Sequence, residues 1–343
     1  MATPRIIGRE TPAEDASVSR RSIELPALSK AARLTLWVHL GGEVVPESVA
    51  EWTLSPAEII DIFRGVPQRR ALETGGLLSR LPCPYEPDDL VLAPGIRDHL
   101  AELEAQIRLR NVVYDDWGFN RLVPMGRGIL ALFAGPSGTG KTMAAQVLAR
   151  SLGRDLYRLD LANVVNKYIG ETEKRLKQVF DAADRSHAVL LIDECDALFG
   201  QRMTAKDAHD RYANIEIDYL LQRVERFEGI GILATNRKND LDPAFLRRIR
   251  IIIDFLQPGP KERAELWRKT LAPKSPTGEE LLGEIDFEML AQKLPLTGAE
   301  IKLAGLGAAF LAKSQNSRIG MQHVMAAARR EMSKRGTVLR VNE

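Results

Sequence analysis

Downstream of Gly128, short apolar runs alternate with amphipathic stretches. The runs cover residues 129–134, 156–161, 189–193, 231–235 and 251–255. Each is short and mostly apolar, the pattern of a strand buried on both faces. Between them, residues 141–152, 171–185 and 208–227 carry apolar positions at helical spacing, and residues 96–110 do so upstream, where Ile96, Leu100, Leu103 and Ile107 share one face. Strands alternating with helices predict a parallel sheet with helices on both sides. After Pro258 the strand pattern stops and only helical patterns remain. In the last of these, Met321, Val324, Met325 and Ala328 form one stripe, which reads as packing surface.

The N-terminal part is patterned differently. Its first twenty or so residues are polar and read as a lead-in, and two apolar-patterned pieces follow at 23–40 and 49–63. A Pro/Gly-rich stretch at 65–87 reads as a linker. A weak internal repeat joins the two ends of the chain. Arg33-Leu34-Thr35-Leu36-Trp37 echoes Arg263-Ala264-Glu265-Leu266-Trp267, and Leu54-Ser55-Pro56-Ala57-Glu58-Ile59 echoes Leu296-Thr297-Gly298-Ala299-Glu300-Ile301. Two readings stand: a second lid-like helical module, or coincidence between amphipathic helices. The expected division is a mainly helical region at 1–75 resembling the C-terminal one, a linker and helix at 76–125, a domain of alternating strands and helices at 126–257 and an all-helical region at 258–343.

Composition narrows the function classes. The 343 residues include 48 Lys+Arg and 46 Asp+Glu, a net charge of +2, so overall charge gives no reason to bind nucleic acid or an anionic membrane. No apolar run is long enough to span a bilayer, and the N-terminus lacks the basic-then-apolar pattern of a secretion signal. The two cysteines, Cys83 and Cys195, lack metal-ligand spacing and form no disulfide framework, so a reducing cytoplasm is the expected home. Cys195 reads as a packing residue rather than a nucleophile.

The chemistry is concentrated in two segments. Gly135-Pro136-Ser137-Gly138-Thr139-Gly140-Lys141-Thr142 fits G-x-x-x-x-G-K-[ST] between a predicted strand and a predicted helix, followed by Met143. Its glycines let successive N–H groups turn inward around phosphate oxygens, and the helix N-terminus adds partial positive charge. Lys141 can reach the β- and γ-phosphates, and Thr142 can place its hydroxyl on Mg²⁺. The second segment, Val189-Leu190-Leu191-Ile192-Asp193-Glu194, is an apolar strand ending in two acids. Beside a nucleotide, Asp193 would hold the Mg²⁺ shell and Glu194 would orient and polarise the attacking water. ATP and Mg²⁺ are therefore the expected cofactors, and a P-loop NTPase sheet with a helical lid is the expected fold.

With these motifs in this order, the chain from about Asp88 onward resembles an AAA+ ATPase. The resemblance implies roles for further residues. Ala234-Thr235-Asn236 resembles the sensor-1 strand, which puts Asn236 on the γ-phosphate or the attacking water. Leu241-Asp242-Pro243-Ala244-Phe245-Leu246-Arg247-Arg248-Ile249-Arg250 resembles the arginine-finger segment. Arg247 and Arg250 match the finger positions, but Arg248 and Ile249 stand between them where Pro-Gly is common. Such fingers serve the nucleotide of a neighbouring subunit, which implies a ring, expected to be a hexamer.

Lys167-Tyr168-Ile169-Gly170-Glu171 resembles the first pore loop, with Tyr168 gripping a substrate chain. Gly298-Ala299 opens the sensor-2 helix without a sensor-2 arginine, and both residues are expected at the nucleotide. Asp115-Asp116-Trp117-Gly118-Phe119 stands where a linker would meet the adenine or simply anchor itself. Within AAA+, Tyr85-Glu86-Pro87-Asp88-Asp89-Leu90-Val91-Leu92, the 116–119 run and Asp207-Ala208-His209-Asp210-Arg211-Tyr212-Ala213-Asn214 resemble bacterial ATPases of phage-tail-like contractile injection systems. The implied function is ATP-driven remodelling, assembly or threading of a protein client. The alternative is a DNA-handling loader or initiator.

Overall fold

The computed structural model describes residues 28–45, 49, 56–63, 77–122, 127–159, 172–196, 222–224, 226–247, 249–275 and 277–334. The chain divides into two compact units, Met1–Ala71 and Leu72–Glu343.

The first unit contains helices α1 (Lys30–His39) and α2 (Pro56–Phe63). Ser29 caps α1 by accepting from the Ala32 N–H. Trp37, Val49 and Ile59 form its buried centre, and Trp37 meets Phe63 edge-on at 5.4 Å between ring centroids. The Arg33 side chain is buried and spent on backbone: Nε donates to Val49 O at 2.9 Å and Nη1 to Leu28 O at 2.7 Å.

The second unit carries a six-stranded sheet, β1 (Leu78–Leu81), β2 (Ile129–Ala134), β3 (Leu156–Leu159), β4 (Val189–Ile192), β5 (Ile230–Thr235) and β6 (Ile251–Asp254), in the order β1-β3-β4-β5-β2-β6. All pairings are parallel except β1 with β3. Strands β4 and β5 are buried throughout because both faces of the sheet are covered. Alternate residues feed two cores. Leu132, Leu190, Ile192 and Leu233 pack with Val179 and Phe180 of helix α5 (Thr172–Ser186). Ala131, Phe133, Leu191 and Ile232 pack with Leu103 and Ile107 of α3 (Pro94–Asn111) and with Ala144 and Leu148 of α4 (Lys141–Ser151).

After β5 come a short helix α6 (Pro243–Leu246) and then β6. The remaining helices, α7 (Pro260–Thr270), α8 (Phe287–Lys293), α9 (Gly298–Ser314) and α10 (Met321–Ser333), share a core of their own around Trp267, Leu290, Ile301 and Val324. Val324 and Ala328 are fully buried there, with Met321 and Met325 packed alongside.

The expected fold class is the observed one, with two differences. Strand β1 lies inside the stretch read as a linker. Only Leu78 and Leu81 are apolar in it, and it is an edge strand held by pairing with β3 and by Arg80–Asp155 at 2.6 Å, so its periodicity is too short to read. The helical region is also interrupted by isolated bridges, Lys274–Glu280 and Leu282–Ile319. The expected helix at 208–227 lies outside the described residues except at its end.

The repeat has a structural counterpart. Arg263 donates from Nε to Ala291 O and from Nη1 to Pro258 O, both at 2.7 Å. Leu28 and Pro258 each stand five residues before their arginine. Val49 and Ala291 each stand five residues before the second repeated segment, which opens at Leu54 and Leu296. Trp37 and Trp267 are both buried, as are Ile59 and Ile301.

Candidate functional site

Strands β2, β4 and β5 are parallel neighbours, so the loops after them emerge at one edge of the sheet. That edge, where successive connections cross to opposite faces, is where open α/β sheets bind ligands. The loop after β2 must turn tightly. Gly135 has φ 148°, and a Cβ there would sit 2.0 Å from Phe255 O. Gly140, at φ 101°, takes the left-handed conformation that lets α4 start at Lys141. The result is a helix N-terminus aimed into a cavity of about 940 Å³.

Ser137, Gly138, Thr139, Gly140, Lys141, Thr142 and Met143 line this cavity, together with Asp193, Glu194, Asn236, Gly298 and Ala299. Gly135 and Pro136 instead line an adjoining hollow with Asn236 and present carbonyls to Lys141. Lys141 Nζ donates to Gly135 O at 2.6 Å, Pro136 O at 2.9 Å and Asn236 Oδ1 at 2.7 Å. Burial lowers the Lys141 pKa, and the charges of Asp193 and Asp196 work against that shift. Thr139 is locked by its hydroxyl donating to Pro136 O at 2.9 Å.

Glu194 has φ 52°, a conformation uncommon for a residue with a side chain, and its N–H donates to Asp193 Oδ1 at 3.0 Å. The strain turns the chain sharply as it leaves β4 and leaves Glu194 exposed at the cavity wall. Cys195, next in sequence, is fully buried, and burial pushes its thiol well up, so it is an inert packing residue.

The lid closes on the loop. Ala299 N–H donates to Gly138 O at 3.2 Å, and a Cβ on Gly138 would sit 2.8 Å from Thr297 Oγ1. Helix α9 is fixed there by a capping box between Thr297 and Glu300.

The fit to a Mg-nucleotide rests on the donor set. Amides of a helix N-terminus and one ammonium suit phosphates. One hydroxyl (Thr142) and one carboxylate (Asp193) suit Mg²⁺, which takes few protein ligands and completes its shell from phosphate and water.

Other expected residues lie elsewhere. Arg247 and Arg250 are exposed, and neither lines this cavity. Arg250 N–H bonds Leu130 O near the start of β2, while the glycine loop follows the end of that strand. The two are separated by most of a six-residue strand, roughly 15–20 Å. The 115–119 run also lies away from the cavity, with Trp117 68% exposed. The segment facing the cavity is instead 89–93, with Tyr85 and Ile96. It is strapped down by Arg150, which donates to Cys83 O and Pro84 O and pairs with Glu86, and by Gln146 to Pro82 O. Tyr168, Arg248 and residues 207–214 lie outside the described residues.

Sequence reasoning missed this strap and a small network behind Asn236. Thr235, almost fully buried, donates to Asp196 Oδ1 at 2.6 Å and accepts from the Arg237 N–H at 2.9 Å, which fixes the backbone on both sides of Asn236. The signal was present in Asp193-Glu194-Cys195-Asp196, where a third acid follows the pair.

Residues 131–257 match the family profile "ATPase family associated with various cellular activities (AAA)". The chain is 31% identical over 208 residues to 26S proteasome subunit RPT4 of Saccharomyces cerevisiae, an alignment covering 58% of this chain and 46% of that protein. It is 33% identical over 177 residues to the proteasome-activating nucleotidase of Methanothermobacter thermautotrophicus, covering 50% and 42%. It is 32% identical over 230 residues to the ATP-dependent zinc metalloprotease FtsH 3 of Sphaerobacter thermophilus, covering 63% and 43%. The chain thus spans less than half the length of these relatives.

Proposed function

We propose, taking as premise the AAA ATPase domain at residues 131–257, that this chain hydrolyses ATP to ADP and phosphate and uses the cycle to remodel or thread a protein client. The observation that carries the reading is one cavity lined by Lys141, Thr142, Asp193, Glu194 and Asn236, with the lid at its edge. Lys141 and the loop amides bind the phosphates; Thr142 and Asp193 would hold Mg²⁺, which neutralises phosphate charge when bound. Glu194 accepts the proton of the attacking water, and Asn236 orients that water or the γ-phosphate. Gly298 and Ala299 bring the lid onto the loop, so nucleotide state is coupled to lid position.

Arg247 and Arg250 act in trans, in a ring that we take to be a hexamer. Their separation from the cavity of their own chain supports this, as does the similarity to a protein named as a 26S proteasome subunit. Tyr168 grips the client. A component of a contractile injection system is the narrower candidate client, supported only by the 85–92, 116–119 and 207–214 segments. A cytoplasmic location accords with there being no membrane-spanning helix among the described residues. DNA handling is the weaker reading, since net charge is near zero.

We keep the four-part domain reading, with residues 1–75 as a second, lid-like region. The paired arginine clamps of Arg33 and Arg263 support it.

The test is direct. Glu194→Gln retains ATP binding and loses turnover by about 100-fold or more, whereas Lys141→Ala loses binding. Unchanged turnover in Glu194→Gln removes that residue from the base role.

A further inference from the structure

Helix α3 does not end cleanly. Its last turn widens into a π-helical segment, Val112–Asp116, an irregularity that concentrates at functional positions because it re-aims a side chain. Tyr114 is the only residue of that segment that is buried. Its hydroxyl accepts a hydrogen bond from Arg250 Nη2, and the Arg250 guanidinium also lies 5.7 Å from its ring centroid. Arg127, paired with Asp115 at 3.3 Å, lies 5.9 Å from the same ring. Arg250 itself is exposed, its backbone pinned by its N–H to Leu130 O at 3.1 Å. A fixed backbone followed by a long flexible side chain leaves the guanidinium free to sample many rotamers. Tyr114 is the contact that removes that freedom.

We propose that Tyr114 is the positioning residue for Arg250, holding the guanidinium ordered at the exposed base of the sheet so that it reaches a neighbouring subunit's γ-phosphate without first losing rotamer entropy. This rests on the reading of Arg250 as a finger acting in trans. The phenol is suited to the task. Its oxygen fixes one edge of the guanidinium and, being neutral, does not cancel the charge as a carboxylate would.

The experiment is a double-mutant cycle on the full chain, with assembly state, ATP affinity and steady-state turnover measured for each form. Tyr114→Phe keeps the ring and removes one oxygen. It lowers kcat by roughly tenfold, the scale of one lost hydrogen bond to a charged group, with KM for ATP and assembly unchanged. Arg250→Ala lowers kcat further, and adding Tyr114→Phe to Arg250→Ala costs nothing more. A purely structural tyrosine gives the same loss in both backgrounds, which overturns the proposal, as does wild-type turnover in an assembled Tyr114→Phe. Wild-type turnover in an assembled Arg250→Ala instead overturns the finger reading of Arg250. Should Tyr114→Phe fail to fold, Arg250→Lys serves. It keeps the charge without the planar fork, and a kcat equal to wild type overturns the proposal, while a loss of kcat at unchanged KM supports it.

Discussion

At the scale of single residues, the acids on the two sides of the sheet behave differently. Glu194 is strained and exposed at the cavity, whereas Asp184, on α5, is half-buried beside Glu228. Burial first, and then the charges of Glu228 and Asp181, push the Asp184 carboxyl up from 3.8 to about 7, against the Gly229 N–H bond and Arg223. Among the described residues nothing hydrogen-bonds its Oδ1. The folded-state pKa is raised, so the protonated acid is favoured in the fold. The stability it contributes is present below about pH 4 and is lost as pH rises through about 7. Asp184→Asn therefore gains melting temperature relative to wild type as pH is raised from 4 to 8. Parallel melting curves across that range would show that Asp184 titrates normally.

Helix caps and clamps decide which segments hold their place at the scale of elements. The Thr297–Glu300 box fixes the start of α9 where Ala299 meets Gly138, so Thr297→Ala costs about 1 kcal/mol and loosens the lid on the loop. Its readout is lower thermal stability together with weaker nucleotide affinity, while a cap that served α9 alone would leave affinity untouched. Arg263→Ala removes two backbone contacts from a charged donor, a loss of about 2 kcal/mol, and Arg33→Ala does the same in the N-terminal unit. If 28–63 is lid-like, the two variants lower denaturant midpoints by similar amounts. A silent Arg33→Ala would leave the repeat as coincidence. The periodicity at 30–39 and 260–270 made these helices legible. The arginine clamps were not legible, since their acceptors are carbonyls of residues elsewhere in each unit, and sequence carries no mark of which carbonyl an arginine will find.

For the whole molecule, the proposed site is divided. The cavity holds Lys141, Asp193, Glu194 and Asn236, while Arg247 and Arg250 lie outside it. A subunit carrying Arg247→Ala and Arg250→Ala thus loses turnover but keeps ATP binding. Mixing it with a Lys141→Ala subunit restores part of the turnover, because intact fingers then face an intact loop. Absence of rescue in assembled mixtures would argue for action within one chain. Removing residues 1–71 leaves ATP affinity unchanged, since every cavity-lining residue lies in the second unit; lost affinity would make the first unit part of the site.

The sequence by itself determined the five parallel strands and most helices, and it marked the residues expected at each loop, because apolar period and glycine spacing are local properties of the chain. It also marked Gly298 and Ala299 through the resemblance. Tertiary structure alone decided which of these loops share a cavity, since that follows from the strand order β4-β5-β2, set by pairing between distant segments. It likewise moved the cavity wall from the 115–119 run to the 89–93 strap, and bound Arg250 to Tyr114. Such choices depend on which surfaces pack together, and hydrophobic pattern records that a face is buried without recording against what.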